Sequence, residues 1–541
     1  MEMNFATVWE SITEAIPDAP AITHGDTTQT WSGYTDRAAR VAGALDAIGL
    51  GHDAKTALYM YNCNEYMEAQ YGCLKTRGVP INVNYRYLDE ELLYLLDNSD
   101  SEALFFHSSL GDRVARVADR LPDLKLLVEI DDGEGAGQVD RAVRYEDLVA
   151  GHDPLPSVER AEDDIYMLYT GGTTGMPKGV MYANGGMTAG LVASAFPLLG
   201  VEAPTDASEI AGIVRAVVDD GRQIVSIPCA PLMHGTGLWG GCFAPHLAGG
   251  HVITLTNRSL DAHEVLATVE RHDVTALTIV GDSFARPLIV ALDEGRPDGS
   301  RYDTSSIATI MSSGVMWTTE LKERLLDRIE QAMLIDVMGS TEGNMGTQIS
   351  MKGMTTDTAT FTQAPTTKVF TDDDREVQPG SDEVGMVAAG GRVPLGYFKD
   401  PEKSARTFRV IDGVRYSFPG DFAKVAADGT LILLGRGSQV INTGGEKVFP
   451  EEVEEAVKRV DGVVDCLVVG LPDEKFGQAV TAVVSMTGGS ARDSATIISS
   501  VKNDLAGYKA PKSVIFVDQV PRAPNGKADY RRAKEFAEAS T

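Results

Sequence analysis

Tyr169-Thr170-Gly171-Gly172-Thr173-Thr174-Gly175-Met176-Pro177-Lys178-Gly179 is a run in which almost every position supplies a backbone or hydroxyl donor. Its glycines let N–H groups approach an anion closely, Thr170, Thr173 and Thr174 add hydroxyls, and Lys178 adds a mobile positive charge. It is not a Walker A loop, because Gly179 follows the lysine where Ser or Thr should stand. Taken alone it also reads as a glycine-rich turn between strands, so the flanking sequence has to decide.

Around that loop, short β-rich runs alternate with helical ones. Thr56–Tyr61, Ala103–Phe106 and Leu124–Ile130 read as strands, and Glu91–Leu96 as a helix. This alternation predicts an α/β architecture with largely parallel sheets. Asp131–Gly137 reads as a surface loop, and Pro204–Arg222 as an acidic insertion with helical spacing at Ile210, Ile213, Val214 and Val217. The composition changes after Gly435. Pro450 opens a helix with Glu451 and Glu452 in its first turn, where the helix dipole favours acids. Strands at Val463–Val469, Ala479–Val484 and Ser513–Val517 and a helix through Ile497, Ile498, Val501 and Leu505 complete a small α+β unit. We place the boundary at Gly435-Arg436-Gly437-Ser438, where two glycines leave the backbone free to pivot.

Four further segments carry chemistry. Met338-Gly339-Ser340-Thr341-Glu342-Gly343 sets a carboxylate next to hydroxyls at a strand end, which suits Mg²⁺ bound together with a phosphate. Tyr416-Ser417-Phe418-Pro419-Gly420-Asp421, followed by Gly435-Arg436, offers an Asp able to accept from both hydroxyls of a ribose. The third runs from Gln439 through Asn442-Thr443-Gly444-Gly445-Glu446-Lys447 to Glu454. The last is Pro524-Asn525-Gly526-Lys527, a lysine on a tight turn.

In this order the five segments resemble the adenylate-forming superfamily of acyl-CoA synthetases, luciferases and peptide-synthetase adenylation domains. The resemblance covers nearly the whole chain. It implies an α/β fold: a large N-terminal domain of layered αβ sheets, residues 1–435, and a small mobile α+β C-terminal domain, residues 436–541. It implies ATP, Mg²⁺ and coenzyme A as reactants with a small-molecule carboxylic acid. By that resemblance Thr170, Gly171, Gly172, Thr173, Thr174 and Lys178 grip the β- and γ-phosphates. Met338, Gly339, Ser340 and Thr341 line the AMP site, with Thr341 on the α-phosphate, and Glu342 and Thr173 hold Mg²⁺. Asp421 binds the ribose and Arg436 reaches the same hydroxyls or the phosphate. Ser438 is the hinge, Gly444, Gly445 and Glu446 line the pantetheine path, and Lys527 bridges the attacking carboxylate and the α-phosphate. Met338 stands where the family usually carries an aromatic residue on adenine. Ser438 replaces the usual Asp or Lys, and Asn442 the usual Lys.

The acid pocket is read from Pro231–Gly237, Ile279–Ser283, Met311–Met316 and Gly339, with His234, Gly235, Gly281, Ser313 and Gly314 as its wall. His234 gates the pocket, sits over the reacting carboxylate, or is a packing histidine. Gly235 stands where amino-acid-activating relatives carry an Asp, which disfavours an amino-acid substrate. Gly235, Gly237 and Gly281 remove side-chain volume, which points to a roomy cavity for a fatty, branched or polycyclic acid. The finer pattern looks like actinobacterial-type synthetases for medium-to-long chains or steroid side chains. Loading of a carrier protein, luciferase-like oxidation and a non-catalytic nucleotide-binding homologue remain as alternatives.

The bulk sequence sets limits on these readings. With 78 acidic and 48 basic residues the formal charge is −30, which argues against a nucleic-acid partner and requires any phosphate site to gather its own cations. Cys63, Cys73, Cys229, Cys242 and Cys466 have no metal-ligand spacing and read as buried thiols. No secretory signal or membrane span is legible: the apolar stretch near Ala189–Val201 is short and broken by Pro197 and Gly200. The expectation is a soluble cytoplasmic protein, with a homodimer left open.

Overall fold

The computed structural model describes residues 2–134, 139–170, 176–354, 356–443, 446–473, 477–488, 492–523 and 526–540, with only the backbone of 438 and 447. Among these, the chain builds four sheets. A fifteen-stranded sheet has the spine of the molecule. Its first part is parallel, with Val225–Pro228, Ala276–Ile279, Thr309–Ser313 and Met333–Ser340 side by side. From Gly343–Ser350 onward the pairing turns antiparallel, through Thr360–Gln363, Leu431–Arg436 and Asp421–Val425. The expectation of largely parallel sheets therefore holds for the first half only. The later strands are joined by short turns rather than crossover helices, and short turns impose antiparallel pairing.

A second sheet is parallel throughout, in the order Val79–Asn82, Lys55–Tyr59, Ser101–His107, Leu126–Ile130, Ala142–Arg144. The glycine-rich segment connects two strands of a third sheet, Ile165–Thr170 and Lys178–Ala183, paired so that Thr170 faces Lys178. The fourth sheet belongs to the C-terminal region. It pairs Ile441–Thr443, Val463–Asp473 and Ser513–Val517 with Gly477–Met486. The chain thus leaves the large sheet at Arg436 and enters the small one at Ile441, across a short 3₁₀ turn at Gly437–Gln439.

The helices follow their apolar spacing. The acidic insertion forms the helix Ala207–Asp219, capped by Asp206, and buries Ile210, Val214 and Val217 against the region of the helix Phe5–Ala15. Pro450–Lys458 forms with Pro at its first position and Val453, Ala456 and Val457 inward. A last helix, Tyr530–Ala539, buries only Ala533 and Ala537, too sparse a stripe to be legible beforehand. The residues Thr236–Phe243 form a π-helix, which the sequence gives no sign of. All five cysteines are free thiols. Among the described residues no helix is long and apolar enough to cross a membrane.

One buried ion pair fixes the hairpin that ends in Thr341-Glu342. Lys322 donates to Asp336 at 2.8 Å, and also to Gln348 on the facing strand. Both partners are nearly inaccessible, 2% and 5% exposed, and burial pushes the Asp336 carboxyl up. Replacing Lys322 by Met strands that carboxyl, and we expect a loss of about 3–5 kcal/mol in urea denaturation. The double change Lys322→Met, Asp336→Leu is expected to regain most of it. A single-variant cost below about 1 kcal/mol would mean that water reaches the pair.

Candidate active site

Two hairpins bring separated polar residues together. In the first, Asp421 begins one strand and Arg436 ends its neighbour, and the register sets them directly opposite. The Arg436 Nε donates to Asp421 Oδ1 at 3.2 Å. The other oxygen, Oδ2, is buried and has no hydrogen-bond partner in the protein. Burial pushes the Asp421 carboxyl up, while the Arg436 charge pulls it down. A buried, half-satisfied carboxylate opposite a fixed guanidinium is a receptor for a hydroxyl donor.

The second hairpin carries Gly339 and Ser340 on one strand and turns at Thr341-Glu342. Its Glu342 Oε1 accepts from the Tyr397 hydroxyl at 2.8 Å, and the Thr341 carbonyl accepts from Tyr182 at 2.8 Å. The Glu342 charge is felt by Asp421, Arg436 and Lys527, so both hairpin ends face one cleft. Tyr397 is an orienting group that the sequence does not single out, and its hydroxyl fixes the Glu342 carboxylate. Lys178, at the end of the glycine-rich loop, forms an ion pair with Asp400, whose carboxyl also caps the helix Pro401–Thr407. The signal for that partner lies in the sequence only as an Asp before a proline.

Lys527 enters the same cleft from the C-terminal region. Its Cε lies 3.8 Å from the point where a side chain on Gly314 would begin, and Gly314 holds φ +92°. Burial lowers the Lys527 pKa, Arg436 lowers it further and Glu342 opposes both. His234 senses the Lys527 charge, so it is not a packing histidine remote from the site. Burial, with Lys527 and Arg86 adding to it, holds the imidazole neutral with a pKa of about 3. Ser313 donates to the Val337 carbonyl at 2.9 Å, in the wall beside Gly314.

The glycines of that wall do not open space, contrary to the sequence reading. A Cβ on Gly235 would meet the Trp239 ring at 3.1 Å, one on Gly237 the carbonyls of Ala230 and Pro231 at 2.5 Å, and one on Gly281 the Met316 carbonyl at 2.4 Å. They permit close backbone packing. Along one sheet face Met311, Ile335 and Ile349 are register neighbours, and the row ends at Ile349, 45% exposed. The π-helix covers the inner end, with Gly240 pressed against Met311.

Other predicted positions fall differently. Met338 is 5% exposed and packs in an apolar cluster with Met345, Phe361 and Val387, so it presents little surface to any ring. Glu451 is not a solvated helix-dipole charge. Its Oε1 accepts from the Arg436 amide at 3.3 Å, its Oε2 is buried without a partner, and burial beside Glu454 pushes its carboxyl up. Glu446 is exposed at the start of the strand Glu446–Val448. Gly171, Gly172, Thr173, Thr174, Gly444 and Gly445 lie outside the described residues, as does the Ser438 side chain.

Comparison with known proteins agrees with this geometry. Residues 9–398 match the family described as AMP-binding enzyme, and residues 452–527 match its C-terminal domain. A 3-oxocholest-4-en-26-oate–CoA ligase of Rhodococcus rhodochrous is 39% identical, over 99% of this chain and 96% of its own. The medium-chain acyl-CoA ligase Mig of Mycobacterium avium is 40% identical, over 98% and 97%. In fold, an anthranilate CoA ligase in complex with anthranoyl-AMP superposes with a TM-score of 0.84 at 21% identity, covering 100% of this chain and 98% of that one.

The neutral His234 has a consequence for pH. Its folded pKa lies below its ordinary 6.5, so the unfolded state takes up a proton first as pH falls. Its contribution is constant above about pH 6.5 and becomes progressively destabilising from there toward pH 3. His234→Gln is therefore expected to lose less melting temperature than the unmodified protein between pH 7 and pH 5. A parallel decline of both would show that His234 is solvated.

Proposed function

We propose that this chain, which belongs to the family of AMP-binding enzymes, is an ATP-dependent acyl-CoA synthetase for hydrophobic carboxylic acids. The observation that carries the reading is the convergence of Asp421, Arg436, Glu342 and Lys527 on one cleft, with one carboxylate oxygen of Asp421 left for a donor. Asp421 takes the ribose hydroxyls of ATP, Arg436 steadies it, and Thr341 meets the α-phosphate. Thr170, Lys178 and the loop between them take the β- and γ-phosphates, Lys178 leaving Asp400 to do so. Among the described residues no three His, Cys, Asp or Glu side chains could hold a metal by themselves. One carboxylate beside hydroxyls fits an Mg²⁺ that draws most of its oxygens from phosphate and water, so Glu342, with Thr173, would hold it. When bound it neutralises phosphate charge.

The reaction has two steps. A carboxylate oxygen of the acid attacks the α-phosphorus, the bond to the pyrophosphate oxygen breaks, and pyrophosphate leaves. Lys527 lies over both reacting groups and offsets the charge gathered there. Residues 436–541 then turn on residues 1–435 about Ser438, which withdraws Lys527 and brings Gly444, Gly445 and Glu446 to line the thiol path. The coenzyme A sulfur loses its proton and attacks the acyl carbon, and AMP leaves with the ester oxygen.

Two surfaces bear on the choice of substrates. The apolar register row of Met311, Ile335 and Ile349 suits a hydrophobic acid, and the relatives are named for a medium chain and for 3-oxocholest-4-en-26-oate. A cleft of about 690 Å³ is lined by Tyr61, Tyr85, Arg86, Arg113, Arg116 and Arg258. Arg258 stacks over Tyr61 at 4.5 Å, and the Tyr61 and Tyr85 rings are 4.5 Å apart. Asp112 and Glu134 share this lining, and Arg258 and Arg116 are paired with Asp132, Glu134 and Asp89, so a phosphorylated nucleotide such as coenzyme A would have to displace those acids. The reaction belongs in the cytoplasm, where ATP and coenzyme A meet.

The deciding measurement is AMP formation from ATP, with and without coenzyme A, across acids of increasing chain length and steroid side-chain acids. We expect coenzyme-A-dependent AMP release with a hydrophobic acid. Pyrophosphate release without thioester would move the reading to carrier loading. Lys527→Ala is expected to lose on the order of 10²-fold or more in adenylation while still converting supplied acyl-adenylate to thioester. Equal loss in both half-reactions would remove Lys527 from that role.

A further inference from the structure

The placement of Lys527 depends on a small set of contacts outside the cleft. Arg522 forms a fork with Asp465, at 2.6 Å through Nε and 2.7 Å through Nη2. Its third donor, Nη1, reaches the Gly526 carbonyl at 3.1 Å. That same carbonyl accepts from Ser283 Oγ, 3.4 Å away on the helix Gly281–Glu294 of the large sheet region. Within the turn, the Ala523 amide donates to the Lys527 carbonyl at 2.7 Å and the Gly526 amide to Ala523 at 2.8 Å. One turn along the same helix, Arg286 donates to the Val464 carbonyl at 3.3 Å, next to Asp465. Both sides of the Asp465–Arg522 pair therefore abut one helix face.

At Gly526 the approach is close, beside a cavity of about 640 Å³ that the seam residues line. Gly526 has φ +77°, and a Cβ there would lie 2.7 Å from Ser283 Oγ and 2.9 Å from its Cβ. The residue after Gly526 is Lys527, so the distance between Ser283 and the Gly526 backbone sets how far the ammonium reaches. Arg522 and Asp465 are both mostly buried, 19% and 23% exposed. Burial pushes the Asp465 carboxyl up, but the Arg522 guanidinium outweighs it and holds it below the ordinary carboxylate range. A lysine in place of Arg522 has no planar fork and cannot bind Asp465 in two directions while meeting a carbonyl in a third.

We propose that Arg522 is a positioning residue for Lys527. Anchored on Asp465, it holds the Gly526 carbonyl at the seam with Ser283 and so fixes the depth at which Lys527 enters the cleft. This rests on the adenylating role of Lys527 argued above. A displacement of the lysine by about 1 Å is enough for a 10²-fold rate effect.

The test separates the half-reactions in the full-length enzyme: pyrophosphate exchange for adenylation, and thioester formation from supplied acyl-adenylate. Arg522→Gln and Arg522→Lys are expected to lose adenylation by about 10²-fold and at least about tenfold. Their thioester formation should stay within about twofold of the unmodified enzyme. Gly526→Ala, which strains the backbone at φ +77°, should show the same split. A purely structural role would depress both half-reactions together with the melting temperature, and would overturn the proposal. Lys527→Ala serves as the reference. If it fails to separate the half-reactions, the role of Lys527 is at fault. If it separates them and the Arg522 variants do not, the positioning role is.

Discussion

The ion pair of Asp421 with Arg436, within reach of the charges of Glu342 and Lys527, is the constraint on which the cleft depends. Burial and Arg436 both lower the Lys527 pKa, and Glu342 opposes them. Glu342 in turn is held by Tyr397, and Arg436 by Asp421 and, through its amide, by Glu451. Removing Arg436 leaves the buried Asp421 carboxylate without its ion-pair partner, which is more costly than losing an exposed pair. The cations are therefore local and backed by named acids, and the overall acidity of the chain does not reach them. It is the same solution at Lys178, which Asp400 holds at the edge of the glycine-rich loop.

Strands and helices with a regular apolar period were legible from sequence. The strand Ser101–His107, the helix Asp89–Asn98 and the helix Pro450–Lys458 form within a few residues of their expected ends. What failed shares a physical cause, namely that close packing cannot be read from residue size. Gly235, Gly237 and Gly281 suggest vacant volume in one dimension, but each faces a ring or a carbonyl in three. Glu451 lies in the first helical turn as expected, but its position beneath Gly435 is a packing contact that the sequence does not reveal. The π-helix over Met311 has no compositional signature at all. In contrast, the grouping of Asp421, Arg436, Glu342 and Lys527 could be expected from the family resemblance but not from spacing, since the pairs are joined only by strand register and by the fold of the C-terminal region.

The buried acids also bear on how the two parts of the chain act together. In this arrangement Asp421 Oδ2 and Glu451 Oε2 both lack partners, and an unsatisfied buried polar atom costs about 1–3 kcal/mol. Asp421 belongs to the large sheet, whereas Glu451 belongs to the helix that follows the proposed hinge. Ribose hydroxyls would satisfy the first. The second is relieved by proton uptake, toward which its pKa is pushed, or by moving the helix away from Gly435. Nucleotide binding therefore removes one penalty of the closed arrangement and leaves the other.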